Sequence, residues 1–179
     1  MARKFETGSL PNSLGKQEQE FAATRDHFFM ATVGENGWPY VQHRGGPVGF
    51  LHVLDARTLA FADFSGNRQY VSVGNLKNDS RAALILMDYP NQTRLKILGR
   101  VELREANSDP ELIARLSSSG YKARIERAML IHVEGFDWNC PQHITPRFTV
   151  EELEHALEPM RKRMAELEKK LAQYESKQG

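Results

Sequence analysis

The sequence predicts a mainly β protein: an antiparallel barrel with flanking minor helices, followed by one long C-terminal helix. Three observations predict it. Between residues 26 and 136, six or seven short strand-like runs are separated by tight turns rich in Gly, Asn, Asp and Pro. Only short helical stretches interrupt them, so the regular strand–helix alternation of a doubly wound α/β fold is missing. Beyond residue 148 the apolar residues instead recur in steps of four and three. The chain therefore divides into an arm with a short helix (1–25), a barrel domain (26–148) and an amphipathic helix (149–179).

The arm is polar and carries Gly8, Pro11 and Gly15; residues 17–25 supply its helix, with Phe21 and Ala22 on the buried side. Residues 28–33, Phe-Phe-Met-Ala-Thr-Val, form the first strand. The turn Gly34-Glu35-Asn36-Gly37 can take positive φ at Asn36 and Gly37, as a tight hairpin requires. A second strand returns over 39–44 and ends at Gly45-Gly46-Pro47. A third covers 50–54 and a fourth 59–64, joined by the turn Asp55-Ala56-Arg57-Thr58. Residues 69–77 are polar and bounded by Gly66-Asn67 and Asn78-Asp79, which suits a small helix. Residues 82–88 are continuously apolar, the pattern of a buried strand. Residues 93–103 alternate, placing Leu95, Ile97, Val101 and Leu103 on one face. A helix after Pro110 (111–118) and a last strand over 128–136 complete the domain.

Thr149-Val150-Glu151-Glu152 is a capping box that starts the final helix. Leu153, Leu157, Met160, Met164, Leu167, Leu171 and Tyr174 then draw a narrow apolar seam of the coiled-coil type. Pro159 removes one backbone donor and predicts a kink. The seam suits either pairing with a second helix across a dimer or packing along the chain's own barrel.

With 179 residues there is room for one core plus appendages. A net charge of +1 argues against a nucleic-acid protein, although a local basic pocket for a small phosphate is compatible with it. The single cysteine, Cys140, cannot form an intrachain disulfide, which fits a reducing compartment. The start, Met1-Ala2-Arg3-Lys4-Phe5, is polar and leads into no apolar segment, and no run is long enough to span a bilayer. A cytoplasmic location is expected, with no membrane partner.

The strongest chemical signal is Phe61-Ala62-Asp63-Phe64-Ser65-Gly66-Asn67-Arg68-Gln69-Tyr70. A strand ends, a small-residue turn follows, and a helix opens beside an arginine. Free amides at a helix start attract anions, and Gly66 lets a phosphate approach the backbone. Arg68 adds a charge-assisted contact. Gln42-His43-Arg44-Gly45-Gly46 concentrates donors at the end of one strand, and Arg94 and Lys96 share one face of another. These donors either converge on one polar ligand or form the solvated face of a sheet.

Residues 26–104 resemble the FMN-binding split barrels of the pyridoxamine 5'-phosphate oxidase-like superfamily. The block from Phe61 to Gln69, then Asn75-Leu76 and Asp79-Ser80-Arg81-Ala82-Ala83-Leu84, looks like that family's strand, phosphate turn, helix and following strand. Thr93-Arg94-Leu95-Lys96-Ile97-Leu98-Gly99-Arg100-Val101-Glu102 resembles its next strand. With Asn139-Cys140-Pro141-Gln142-His143-Ile144 added, the likeness extends to about residue 147 and points to a bacterial branch described as flavin-nucleotide-binding.

The resemblance implies FMN held between two subunits of a homodimer. Arg68, Gln69 and Asn67 would hold its phosphate, with Ser65 in the same turn. Gln42, His43 and Arg44, with Phe61, Ala62 and Asp63, would line the ribityl chain and ring. Arg94 falls where the family places a polar contact to the flavin, with Lys96 beside it; a cation near the ring's N1–C2=O edge would raise its potential. Trp138, Gln142 and His143 would come from the neighbouring subunit or cover the ring. Two departures matter. Gln69 stands where the oxidase has a second phosphate-binding cation, and the arginine-rich C-terminal signature that receives the vitamin substrate is absent. The resemblance thus supports FMN better than it supports pyridoxamine phosphate.

Cys140 and His143 have a spacing a metal can use, but a structural zinc site needs four ligands and no second pair accompanies them, so no metal is expected. Cys140 stands open as a redox thiol beside the flavin, or as part of a lid in which Trp138 and Pro141 pack rigidly. His43 and His143 are the candidates for proton transfer; no catalytic residue is assigned, and His27, His52, His132 and His155 receive no role. The expected function is a flavin oxidoreductase acting on a small molecule. The alternatives are a non-catalytic FMN carrier or redox sensor, and a barrel that takes deazaflavin or haem.

Overall fold

Alternation along the short apolar runs puts one face of each strand into a common interior. The computed structural model describes residues 10–66, 70–118, 121, 123–138 and 141–176. Those residues form one seven-stranded sheet: β1 (His27–Val33), β2 (Pro39–Gly45), β3 (His52–Asp55), β4 (Thr58–Phe64), β5 (Arg81–Asp88), β6 (Thr93–Glu105) and β7 (Ile125–Trp138). The strand order is β2-β1-β5-β6-β7-β4-β3, with every pair antiparallel. Four helices accompany it among the described residues: α1 (Lys16–Ala23), α2 (Val71–Asn78), α3 (Pro110–Leu116) and α4 (Val150–Glu175). No helix among them is long and apolar enough to cross a membrane.

The sheet curls on itself. Phe28 on β1 meets Phe61 on β4 edge-on at 5.2 Å and stacks on Phe50 at 5.6 Å, although β1 and β4 lie far apart in the strand order. Met30, Leu84, Leu86, Leu95, Ile97, Met129 and Ile131 fill the same interior. Each side chain of this size that leaves water is worth about 1.5–3 kcal/mol. A second cluster forms outside the barrel, where α3 packs Leu116 against Ala60, Ala62, Ala128 and Leu130. α2 spans the opening near β2: Asn75 Nδ2 donates to Thr32 Oγ1 at 3.0 Å and Ser72 Oγ donates to Gln42 Oε1 at 2.7 Å.

Several sequence expectations change. Only Gly37 takes positive φ (80°) in the first hairpin; Asn36 instead uses its side chain, accepting from the Trp38 N–H at 3.2 Å. The Gly34 N–H reaches the Trp38 carbonyl at 2.9 Å, so the connection is a wider loop than a two-residue turn. β5 is not buried throughout: it alternates exposed and buried, because only one of its faces meets the interior. β7 begins earlier and ends later than the apolar run, taking in Arg127 and Trp138, since pairing with long β6 sets its length. Its register shifts opposite Leu98 and Gly99, where a Cβ on Gly99 would sit 2.6 Å from the His132 carbonyl oxygen. Glycine is required there by close approach.

α4 carries the expected capping box: the Glu152 N–H donates to Thr149 Oγ1 at 3.1 Å and the Thr149 N–H to Glu152 Oε2 at 2.7 Å. It is one continuous helix through Pro159, and none of its residues is buried. Its seam therefore does not pack on its own barrel.

One titration follows from the packing. Burial, and then the charge of Arg115, hold the His52 imidazole below its ordinary value of 6.5, and its Nε2 is buried without a hydrogen-bond partner among the described residues. Just below 6.5 the unfolded chain binds more protons than the folded one. Stability is therefore lost as pH falls from 6.5 through the lowered folded value. His52→Leu is expected to flatten that slope, read from denaturant midpoints on either side of 6.5.

Candidate functional site

β2 delivers Gln42 and Arg44 to one face and His43 to the other, because side chains alternate along a strand. The Gln42–Arg44 face meets the end of β4 and the start of α2 around a cleft of about 160 Å³, lined also by Asp63, Gly66, Ser72 and Glu126. At its base Asp63, 6% exposed, accepts from Arg44 Nη1 and from Arg127 Nη1, both at 2.8 Å. Arg127 also lies 3.5 Å from Glu105 and 3.7 Å from Glu126, and 5.3 Å over the ring of Tyr70. Burial alone would lower its pKa, but Asp63, Glu105 and Glu126 outweigh that and raise it. Arg127 stays a cation.

The electrostatics have a consequence for ligands. Arg44 and Arg127 are faced by Asp63, Glu105 and Glu126, two guanidinium groups against three carboxylates. These arginines are structural first, although the Nε of each is buried with no hydrogen-bond partner among the described residues. Among the described residues, attraction for an anion comes mainly from the start of α2. Tyr70, in a left-handed conformation (φ 49°), precedes that helix, and the first backbone bond runs from the Gly74 N–H to the Tyr70 carbonyl at 2.8 Å. The amides of Val71, Ser72 and Val73 thus have no partner within the helix, and all three residues line the cleft.

Asn67, Arg68 and Gln69 lie outside the described residues; Gly66 before them and Tyr70 after them both line the cleft. Ser65 is exposed, and its N–H donates to the Arg124 carbonyl at 2.7 Å. Phe61 points into the barrel core at 1% exposure, and the Ala62 side chain packs under α3. Both residues nevertheless line a smaller cleft of about 120 Å³ together with His43, Arg44 and Asp63.

The other predicted residues gather elsewhere. Arg94 and Lys96 stand on the outward face of β6, opposite the buried Leu95 and Ile97. Lys96 lies 3.9 Å from Asp137, and the Nε of Arg94 is buried without a hydrogen-bond partner among the described residues. Trp138 belongs to β7 rather than to a lid: its Nε1 donates to Glu18 Oε1 at 2.6 Å and its ring meets Phe21 edge-on at 4.9 Å. Gln142 and His143 sit in an exposed turn, His143 with φ 66°. His43 faces outward and stacks on His27 at 5.5 Å. Arg127 and Trp138 occupy opposite ends of β7, roughly 35 Å apart along an extended strand. One chain therefore unites Gln42, Arg44 and Asp63 around one cleft and His43, Arg44, Phe61, Ala62 and Asp63 around a neighbouring one, but lines neither with Arg94, Lys96, Trp138, Gln142 or His143. Among the described residues no group of His, Cys, Asp and Glu is placed to hold a metal.

Arg127, Ser72 and Glu126 were not singled out from the sequence, and Tyr70 appeared there only as the end of the Phe61 to Tyr70 run. A charged residue next to the apolar run of β7 was the available signal, but its meaning depends on the pairing of Asp63 with Arg127.

The profile of the pyridoxamine 5'-phosphate oxidase family matches residues 14–141, from the start of α1 to just past β7. The chain belongs to that family. Its fold is the family's split barrel, here with a long C-terminal helix added. Similar solved structures include a candidate pyridoxamine 5'-phosphate oxidase from Lactobacillus delbrueckii, with 20% identity over 71% of this chain and 95% of that one and a TM-score of 0.55. Group A Streptococcus HupZ shares 12% identity over 75% and 99% of the two chains, with a TM-score of 0.52. General stress protein 26 of Bacillus anthracis shares 14% over 73% and 96%, with a TM-score of 0.50. At these identities the likeness is one of fold. No curated protein matches the sequence.

FMN, the cofactor this split-barrel family implies, can be tested against the cleft. A phosphate monoester needs clustered donors and a close backbone approach; the α2 amides that have no partner within the helix, together with Gly66, provide both. The residues fit the phosphate end.

Proposed function

We propose that the chain is an FMN-binding flavoprotein that works as a homodimer, with oxidoreductase activity toward a small organic molecule. The observation that carries this reading is the polar cleft at the start of α2, flanked in sequence by Arg68 and Gln69. Its volume of about 160 Å³ suits a phosphate and part of a ribityl chain. It is too small for a whole flavin, since pockets for ligands of that size run to about 300–1,000 Å³. The rest of the site would come from a second copy.

An apolar patch supports that pairing. On the outward side of the sheet Val41 lies opposite Ala31, Ala31 opposite Ala83 and Ala83 opposite Leu98, with Phe29 beside Ile85 in the next row. Val41 is 61% exposed. Arg94, Lys96 and His43 border this same face, so a partner covering it would bring them to a shared interface. The bound flavin would supply the electron transfer. The protein's part would be to hold the phosphate, orient the ring and exclude water.

Among the described residues no histidine lines this cleft, and His43 reaches only the smaller neighbouring one, which leaves a second reading, an FMN carrier or sensor without turnover. Purified protein should carry a flavin spectrum and release FMN on heating; a deazaflavin or haem spectrum, or a colourless protein that takes up no FMN, overturns the proposal. Arg68→Ala is expected to weaken FMN binding by roughly 10–100-fold, the value of one charge-assisted hydrogen bond. Gln69→Ala should cost less and Arg94→Ala should shift the flavin's potential. Steady oxidation of NAD(P)H under air separates the enzyme from the carrier.

A further inference from the structure

α4 is a helix of about 39 Å with no buried residue; only its first turn and a half borders the barrel, at Glu151, Glu152 and His155. Its seam from Leu153 to Tyr174 remains 40–69% accessible. Steps of four and three hold a strict heptad: Leu157, Met164 and Leu171 take the a positions, and Leu153, Met160, Leu167 and Tyr174 the d positions. Pro159 falls at c, on the outer side of the helix, so its missing donor leaves the seam unbroken.

The flanking charges identify the occupant. The g positions are Ala156, Arg163 and Lys170; the e positions are Glu154, Arg161, Glu168 and Glu175. In a parallel pair of identical helices each g residue meets the e residue of the next heptad on the other helix. Arg163 then meets Glu168 and Lys170 meets Glu175, each pair formed twice by symmetry, while Ala156 meets Arg161 without conflict. In an antiparallel pair g faces g and e faces e. With the seams fully overlapped, Leu171 beside Leu153, Glu154 would face Glu175 and Arg161 would face Glu168, one repulsion against one attraction, while Arg163 and Lys170 would meet only Ala156 and Thr149. We propose that α4 pairs with α4 of a second copy as a parallel, in-register, two-stranded coiled coil. Every charged pair is complementary in the parallel direction, whereas attraction and repulsion offset in the antiparallel one; such complementarity to itself is what a foreign helix would not require. The dyad of a parallel coil runs along its own axis, so the coil can share one two-fold with paired barrels. The proposal rests on the dimeric part of the reading above and not on the flavin.

The test uses full-length chains in a Cys140→Ser background. Leu171→Cys places a thiol at an a position, where parallel pairing brings the two Cα atoms within disulfide range. The expected result is a disulfide-linked dimer under mild oxidation. Adding Arg163→Glu and Lys170→Glu should slow its formation roughly tenfold or more at low salt by setting like charges together. Further adding Glu168→Lys and Glu175→Lys should restore it. Three results overturn the proposal: no Leu171 cross-link, faster cross-linking of Leu171→Cys with a Leu153→Cys chain than with itself, or a rate indifferent to the charge reversals. Light scattering and flavin content on the same samples separate the readings. A flavin-loaded dimer without the cross-link keeps the barrel pairing and removes the coil, whereas a cross-linked dimer without flavin does the reverse to the cofactor.

Discussion

Asp63→Ala is expected to cost about 3 kcal/mol of folding stability, measured by chemical denaturation. The carboxylate is the shared partner of Arg44 and Arg127, and the three side chains are only 7%, 14% and 12% exposed. Removing it leaves two guanidinium groups out of water, each with an Nε that already has no hydrogen-bond partner among the described residues. The loss should exceed that of Arg44→Met, which removes a cation and leaves Asp63 paired with Arg127. A second readout ties the triad to the cleft. With Asp63 gone, inorganic phosphate should recover part of the lost stability by pairing with the freed arginines. A loss below about 1 kcal/mol would mean that the triad behaves as an exposed surface pair.

Phe61→Ala should lose about 3–5 kcal/mol, the usual cost of removing a phenyl ring from a packed core. The ring is 1% exposed, 5.2 Å from Phe28 and 6.2 Å from Phe50. Phe61→Leu keeps most of the volume and should cost less than about 1.5 kcal/mol. The Leu variant also decides a point of function. If Phe61 belongs to the core, FMN binding by Phe61→Leu stays near wild type; a stable Phe61→Leu protein that loses FMN would put the ring against the cofactor.

Much of the barrel was legible because local pattern and pairing agree. The alternation of Leu95, Ile97, Val101 and Leu103 marks the inner face of β6, and the Thr149–Glu152 capping box starts α4 where the residues placed it. β5 was misread for a specific reason. Ala82 to Met87 is apolar throughout, and only the sheet geometry reveals that Ala83 and Ile85 face outward. Trp138 was misread similarly: next to Asn139 and Pro141 it looked like a loop residue, but pairing with Leu95 extends β7 to include it.

The candidate site divides the same way. The turn at Gly66 was readable, because a strand end, a glycine and a helix start lie within a few residues and their anion chemistry is local. Arg127 was not, since its partner Asp63 lies on another strand and only register brings them opposite.

By itself, then, the sequence determined what depends on neighbours along the chain: the short alternating strands, the phosphate-type turn, the capped helix and its heptad. Tertiary structure alone decided which face each residue serves. It buried Phe61, closed Asp63 between two arginines and set Arg94 and Lys96 on the outer surface. The physical reason is that a strand offers two faces in strict alternation, and only long-range pairing and curl determine which face becomes the inside.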